Sequence, residues 1–129
     1  MERLPHSPAI RGAYGAELVR VVDGDTFEAR VHLWPGLTTT TRVRLRGIDA
    51  PEMRARCAEE QVKAEDARAA LAALLAEGGI TVLHVGLDKY GGRVLADATT
   101  ARTADVSQAM RAKGAVRAYA GGRRAGWCG

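Results

Sequence analysis

Four acidic residues lie where turns and strand ends are predicted, and their type and placement suit metal chemistry: Asp23, Asp25, Asp49 and Glu52. Side chains at strand ends can converge on one point, and clustered carboxylate and backbone oxygens are the ligands that Ca²⁺ and Mg²⁺ prefer. An EF-hand loop starting at Asp23 is excluded, because its fifth and twelfth positions would be Phe27 and Trp34. Taken alone, the run Asp23-Gly24-Asp25 is better explained as a plain turn.

Arginines precede the second pair of acids. In a strand, alternation places Arg42, Arg44 and Arg46 on one polar face. Forked guanidinium groups bind phosphate oxygens, so arginines beside acids suit a phosphodiester site, although each is equally explained as an exposed strand residue. Pro51 favours extended backbone at Ala50, which would hold the flanking acids on a fixed bend. The alternative is that these acids only precede a helix, where negative charge is favoured.

The elements that must position these residues follow from hydrophobic periodicity. Period-two patterns and turn residues predict five strands, over residues 17–22, 27–33, 38–45, 80–85 and 93–98. Apolar residues at helical spacing predict two helices, over residues 58–76 and 105–113. Three consecutive strands, a helix, two strands and a helix predict an α+β fold, a five-stranded OB-type β-barrel with two helices.

Composition limits the class of protein. The chain has 129 residues, a net charge of +4 and 47% hydrophobic residues, as expected of one ordinary domain. Residues 1–15 are predicted to form an arm, and residues 16–129 the domain. No apolar stretch is long enough to span a bilayer, and the chain opens with no export signal, so cytosolic and mature exported proteins are both open. The two cysteines and three histidines match no zinc-site spacing, and the positive charge makes an anionic partner plausible.

Three segments, taken in order, resemble the staphylococcal nuclease (thermonuclease) family. They are residues 22–26 (VDGDT), 43–52 (VRLRGIDAPE) and 88–93 (DKYGGR). Each segment is weak alone, but their order and spacing are specific, and the resemblance covers roughly residues 16–119. It implies an OB-type barrel and a Ca²⁺-dependent, sugar-nonspecific endonuclease that cleaves the 5′ P–O bond of DNA and RNA and leaves 3′-phosphates.

Residue by residue, the resemblance implies a Ca²⁺ site formed by two carboxylates and one backbone carbonyl: Asp25, Asp49 and Ala50. The family usually has Thr in place of Ala50, a change that a backbone ligand tolerates. Glu52 is implied as the general base that takes a proton from the attacking water, and Arg44 and Arg93 as the groups that hold the phosphate. Asp23 matches a position near the metal.

The resemblance also implies a nucleotide-binding surface. Lys89 and Tyr90 match family residues that contact the phosphate and the ring, and Tyr119 falls near another. A stacking aromatic over a basic groove favours single-stranded nucleic acid. For the tyrosines the alternative is that they only cover the barrel edge. Gly92 is an extra residue before Arg93, and we predict that the hairpin absorbs it as a bulge.

Cys57 and Cys128 are predicted to form a disulfide rather than two free thiols. An unspecific nuclease is harmful inside its own cell and Ca²⁺ is abundant outside, which favours a secreted or periplasmic, monomeric enzyme, with a cytoplasmic location still open. The alternative functions are a catalytically silent OB-fold module that binds nucleic acid and a structural barrel with an incidental acid cluster. The presence of all five implied residues favours the enzyme: Asp25, Arg44, Asp49, Glu52 and Arg93.

Overall fold

The computed structural model describes residues 10–88, 92–122 and 125–128. Over these residues the strands are β1 (Ile10–Asp23), β2 (Thr26–Trp34), β3 (Leu37–Leu45), β4 (Ile48–Asp49), β5 (Ile80–Leu87), β6 (Arg93–Thr99) and β7 (Arg117–Ala118). The helices are α1 (Ala58–Leu75), between β4 and β5, and α2 (Val106–Ala112), between β6 and β7. Neither described helix is both long and apolar enough to cross a membrane.

Five of the strands close into a barrel in the order β1-β2-β3-β6-β5. All neighbours are antiparallel except β3 and β6, which pair in parallel with Arg44 opposite Leu95. The predicted five-stranded OB-type barrel with two helices is therefore confirmed. Closure satisfies the hydrogen-bonding groups that open sheet edges would expose.

The barrel interior is filled mainly by aliphatic residues around Phe27, which is fully buried. Inward positions of the strands alternate with outward ones, as the period-two pattern predicted. Helix α1 packs against the barrel with Ala64, Ala67 and Leu71 fully buried. The alanines on this face let the helix approach the turn between β1 and β2.

Strand β1 begins six residues before the predicted domain boundary at Ala16. Its first part pairs with β5, with Ala13 opposite Leu83 and Gly15 opposite Thr81. Residues 10–15 are therefore strand and not arm, and residues 1–9 lie outside the described residues. Gly12 and Gly15 interrupt the strand pattern in the sequence. Strand β1 is nevertheless long, because its first part pairs with β5 and its second part pairs with β2.

The C-terminal residues are tied to the start of α1. Cys57 and Cys128 form the predicted disulfide, with a Cα–Cα distance of 6.1 Å. Cys57 also precedes α1 as its N-cap, and its Sγ accepts a hydrogen bond from the amide of Glu60. The short strands β4 and β7, which the sequence did not predict, pair with Ile48 opposite Ala118.

Candidate active site

The turn between β1 and β2 places Asp25 at one end of the barrel. The amide of Asp25 donates to Asp23 Oδ1 at 3.0 Å, which closes the turn, and the amide of Leu45 donates to the carbonyl of Asp25 at 2.8 Å. Gly24 lies so close to α1 that an added Cβ would come within 2.6 Å of Ala67 Cβ and 2.9 Å of Ala50 Cβ. Glycine is therefore required here for close packing.

The buried carboxylate of Asp25 joins three segments that are distant in sequence. Its Oδ1 accepts from Thr26 Oγ1 at 2.8 Å, and its Oδ2 accepts from the amide of Ala50 at 3.0 Å. Arg44 Nη1 lies 3.5 Å from Oδ2 and donates to the carbonyl of Leu45 at 2.8 Å. The β1–β2 turn, the end of β3 and the residues after β4 thus meet at one carboxylate.

The three arginines in and after β3 have different environments, although strand alternation in the sequence predicted the same polar face for all three. Arg42 is exposed, whereas the side chain of Arg44 is 11% exposed and pairs with Asp25. Arg46 donates through Nε and Nη2 to the carbonyl of His84, at 3.0 and 2.7 Å. His84 lies at an irregular point of the β5–β6 pairing with a φ of 54°, so Arg46 stabilises a bulge.

Negative charge is concentrated beside Asp25. Burial, with the neighbouring carboxylates of Asp25 and Glu52, raises the pKa of Asp23 from 3.8 to about 8. Asp49 is buried at the end of β4, and Glu52 is exposed three residues later. Among the predicted acids, Asp23 and Asp25 are therefore adjacent in the β1–β2 turn, and the Glu52 carboxylate makes a small contribution to the raised pKa of Asp23.

A cavity of about 470 Å³ opens beside Arg44. Its wall includes Tyr119, Asp88, and the apolar side chains of Leu87 and Leu95. The Tyr119 hydroxyl donates to the carbonyl of Gly122 at 2.6 Å, and its amide donates to the carbonyl of Gly47 at 2.8 Å. The cavity therefore combines a guanidinium group with an aromatic ring held by its own hydrogen bonds.

Arg93 lies at the start of β6, where it is opposite Arg42 in the parallel pairing. Its Nε forms an ion pair with Oδ2 of Asp88, a residue of the cavity wall. Gly92 has a φ of 65°, which glycine adopts without strain. Lys89 and Tyr90, the other two predicted nucleotide contacts, lie outside the described residues.

A model of the staphylococcal nuclease homologue family matches residues 42–125. This match covers the end of β3, both helices, strands β4 to β7 and Tyr119. The chain belongs to the staphylococcal nuclease family. No curated protein matches the chain significantly.

The donors at the site suit the hard divalent cation expected of a staphylococcal nuclease homologue. The predicted ligands are carboxylate and carbonyl oxygens, the types that Ca²⁺ prefers. In the described part of the chain, no three His, Cys, Asp or Glu side chains form a metal-binding group. Oxygens of water or substrate would have to complete the coordination. Two of the predicted ligands are adjacent, since the amide of Ala50 donates to Oδ2 of the buried Asp25 at 3.0 Å.

Two features of this staphylococcal nuclease homologue were not predicted from its sequence. One is the role of Arg46 at the β5–β6 bulge, which depends on where a carbonyl of another strand points. The other is Arg117, whose guanidinium carbon lies 3.8 Å from the ring centroid of Trp127. The one available signal in the sequence was Trp127 beside Cys128, because both residue types are usually buried and so predict that the C-terminal residues pack against the fold.

Proposed function

We propose that the protein is a Ca²⁺-dependent, sugar-nonspecific endonuclease that hydrolyses phosphodiester bonds in DNA and RNA. Its cleavage of the 5′ P–O bond leaves 3′-phosphate ends. The observation that carries the proposal is the meeting of Arg44, the Ala50 amide and the acidic turn at the carboxylate of Asp25. Membership of the nuclease family supports it.

In this proposal the phosphate lies between the acidic turn and the cavity. Arg44 and Arg93 donate to its non-bridging oxygens, where negative charge grows in the transition state. Asp25, Asp49 and the carbonyl of Ala50 would hold Ca²⁺, which would supply Lewis-acid stabilisation of the same developing charge.

Glu52 acts as the general base. Its exposed carboxylate accepts a proton from the water whose oxygen bonds to phosphorus. The bond from phosphorus to the 5′ oxygen breaks, and that oxygen takes up a proton. The products are a 3′-phosphate and a 5′-hydroxyl, so one water is consumed for each bond cleaved.

Tyr119 on the cavity wall supplies a ring on which a base can stack, and Lys89 and Tyr90 remain predicted contacts to the nucleotide. Bases of single strands are free to stack in this way, so we propose a preference for single-stranded substrate. The Cys57–Cys128 disulfide supports a secreted or periplasmic location, because disulfides persist in oxidising compartments.

The test is cleavage of an end-labelled single-stranded DNA oligonucleotide at low salt, where phosphate contacts are strongest. Reactions contain Ca²⁺, Ca²⁺ with excess EGTA, or Mg²⁺, and phosphatase treatment identifies the new 3′ ends. We expect Ca²⁺-dependent cleavage with 3′-phosphate ends. A folded protein that binds the oligonucleotide and leaves it intact under all three conditions would instead be a binding module.

A further inference from the structure

The segment that carries Glu52 has no regular structure of its own. Residues 50–57 link β4 to α1 and form neither helix nor strand. At its start Ala50 and Pro51 are buried, and the amide of Ala50 donates to Asp25. A general base needs a fixed position, since small displacements at a reacting centre reduce rates strongly. The attachments on both sides of this segment therefore bear on the rate.

The C-terminal residues hold the N-terminal side of the segment. We call the described residues 117–122 and 125–128 the C-terminal strap. Strand β7 of the strap pairs with β4, so that Arg117 lies opposite Asp49. The amide of Tyr119 extends this pairing by donating to the carbonyl of Gly47 at 2.8 Å. The strap thus fixes the backbone just before Ala50.

The same strap holds the other side of the segment. Cys128 is bonded to Cys57, five residues beyond Glu52 and directly before α1. The two attachments of the strap therefore lie on either side of Glu52.

Arg117 connects these two attachments. Its guanidinium carbon lies 3.8 Å from the ring centroid of the buried Trp127, and its Nη1 donates to the carbonyl of Gly126 at 2.7 Å. Trp127 directly precedes the disulfide-bonded Cys128. One side chain, on the strand that pairs with Asp49, thus fixes the end of the chain that is bonded to Cys57.

We propose that Arg117 is a positioning residue, which acts through Trp127 and the Cys57–Cys128 disulfide to hold the Glu52 segment in its reactive position. This inference rests on the proposed nuclease function for its effect on rate. It extends that function to a residue that the proposed mechanism does not use.

The experiment compares Arg117→Gln with Arg117→Lys, which keeps a cation for Trp127. Arg68→Gln, at an exposed position of α1, is the matched control for loss of charge. For each oxidised variant we would measure kcat and KM on the single-stranded oligonucleotide in Ca²⁺. Amide hydrogen exchange is measured for peptides from residues 48–57 and, as a reference, from β2. Urea unfolding corrects the rates for any unfolded fraction.

For Arg117→Gln we expect kcat to fall by roughly 10- to 100-fold with a smaller change in KM. Exchange should accelerate in residues 48–57 and stay unchanged in β2. Arg117→Lys should recover most of both losses. The double variant Cys57→Ser/Cys128→Ser should behave like Arg117→Gln, since it releases the strap from the other end.

If Arg117→Gln and Arg68→Gln give the same kcat and the same exchange in residues 48–57, the positioning role is overturned, even if Arg117→Gln lowers the unfolding midpoint. If the wild-type protein has no nuclease activity, the proposed function fails, and hydrogen exchange decides the inference by itself. Selective acceleration in residues 48–57 then supports positioning, and unchanged exchange overturns it.

Discussion

Nη1 of Arg44 lies 3.5 Å from Oδ2 of Asp25, and their side chains are only 11% and 7% exposed. Removing one partner of a buried ion pair leaves the other charge without compensation. Asp25 also accepts from Thr26 and from Ala50. This pair therefore links strand β3 of the barrel to the acidic turn between β1 and β2.

Substitution of Arg44 tests whether Asp25 is a cation ligand. In EDTA, we expect Arg44→Gln to lower the free energy of unfolding by about 3 kcal/mol, because the Asp25 charge stays buried. Ca²⁺ should restore part of the loss, since a cation at Asp25 replaces the missing charge. Urea unfolding with and without Ca²⁺ measures both effects, and Arg42→Gln on the same strand is the exposed control. Equal losses with and without Ca²⁺ would argue against Asp25 as a ligand.

The raised pKa of Asp23 predicts the pH dependence of stability without metal. The folded pKa of about 8 exceeds the unfolded value of 3.8, so the folded state binds the proton more tightly. The contribution of Asp23 to the free energy of unfolding is complete below about pH 4 and is lost progressively as the pH rises to about 8. In EDTA at pH 8, Asp23→Asn should therefore raise the free energy of unfolding by about 3 kcal/mol, with less effect at pH 5.

Thermal or urea unfolding of Asp23→Asn across this pH range makes the comparison, with Asp66→Asn on the exposed face of α1 as the control. The Asn side chain can still accept the hydrogen bond from the amide of Asp25. A stability difference independent of pH would show that Asp23 is ionised in the folded protein at pH 5.

Packing at Gly24 gives a prediction about the turn itself. An added Cβ would lie 2.6 Å from Ala67 Cβ and 2.9 Å from Ala50 Cβ, so α1 or the turn must move. We expect Gly24→Ala to cost about 2 kcal/mol in urea unfolding. Gly15→Ala is the control, because nothing lies within 4 Å of its added Cβ. Similar stabilities for the two variants would contradict the close packing of the turn against α1.

Much of this arrangement could be predicted from the sequence. Alternation identified the five barrel strands, and alanine-rich helical spacing identified α1 to within a residue of its bounds. The run from Val43 to Glu52 contains Arg44 and Ala50, both of which contact the carboxylate of Asp25.

The remaining features depend on contacts that a linear pattern does not contain. Strands β4 and β7 have two residues each, too few for any periodicity. The difference between Arg44 and Arg46 depends on a bulge at His84 in another strand. The contact between Arg117 and Trp127 depends on the path of the last residues across the fold.

Substitution of Arg93 tests whether the hairpin accommodates the extra Gly92 as a bulge and still directs Arg93 to the phosphate. If it does, Arg93→Ala should reduce kcat by roughly 100-fold or more. Arg42→Ala, directly opposite in the strand pairing, should leave kcat within about 2-fold, as expected of an exposed residue. Steady-state cleavage of the oligonucleotide in Ca²⁺ gives both values. An unchanged rate for Arg93→Ala would remove Arg93 from the mechanism.

The most direct test of the proposed chemistry is the rate of Glu52→Gln. Removal of a general base costs about 10²- to 10⁴-fold, so single-stranded DNA cleavage in Ca²⁺ should fall by that factor. Oligonucleotide binding and the unfolding midpoint should stay close to wild type, and Glu59→Gln, exposed at the start of α1, should cleave normally. Cleavage by Glu52→Gln at the wild-type rate would contradict the assignment of this site as the centre of hydrolysis.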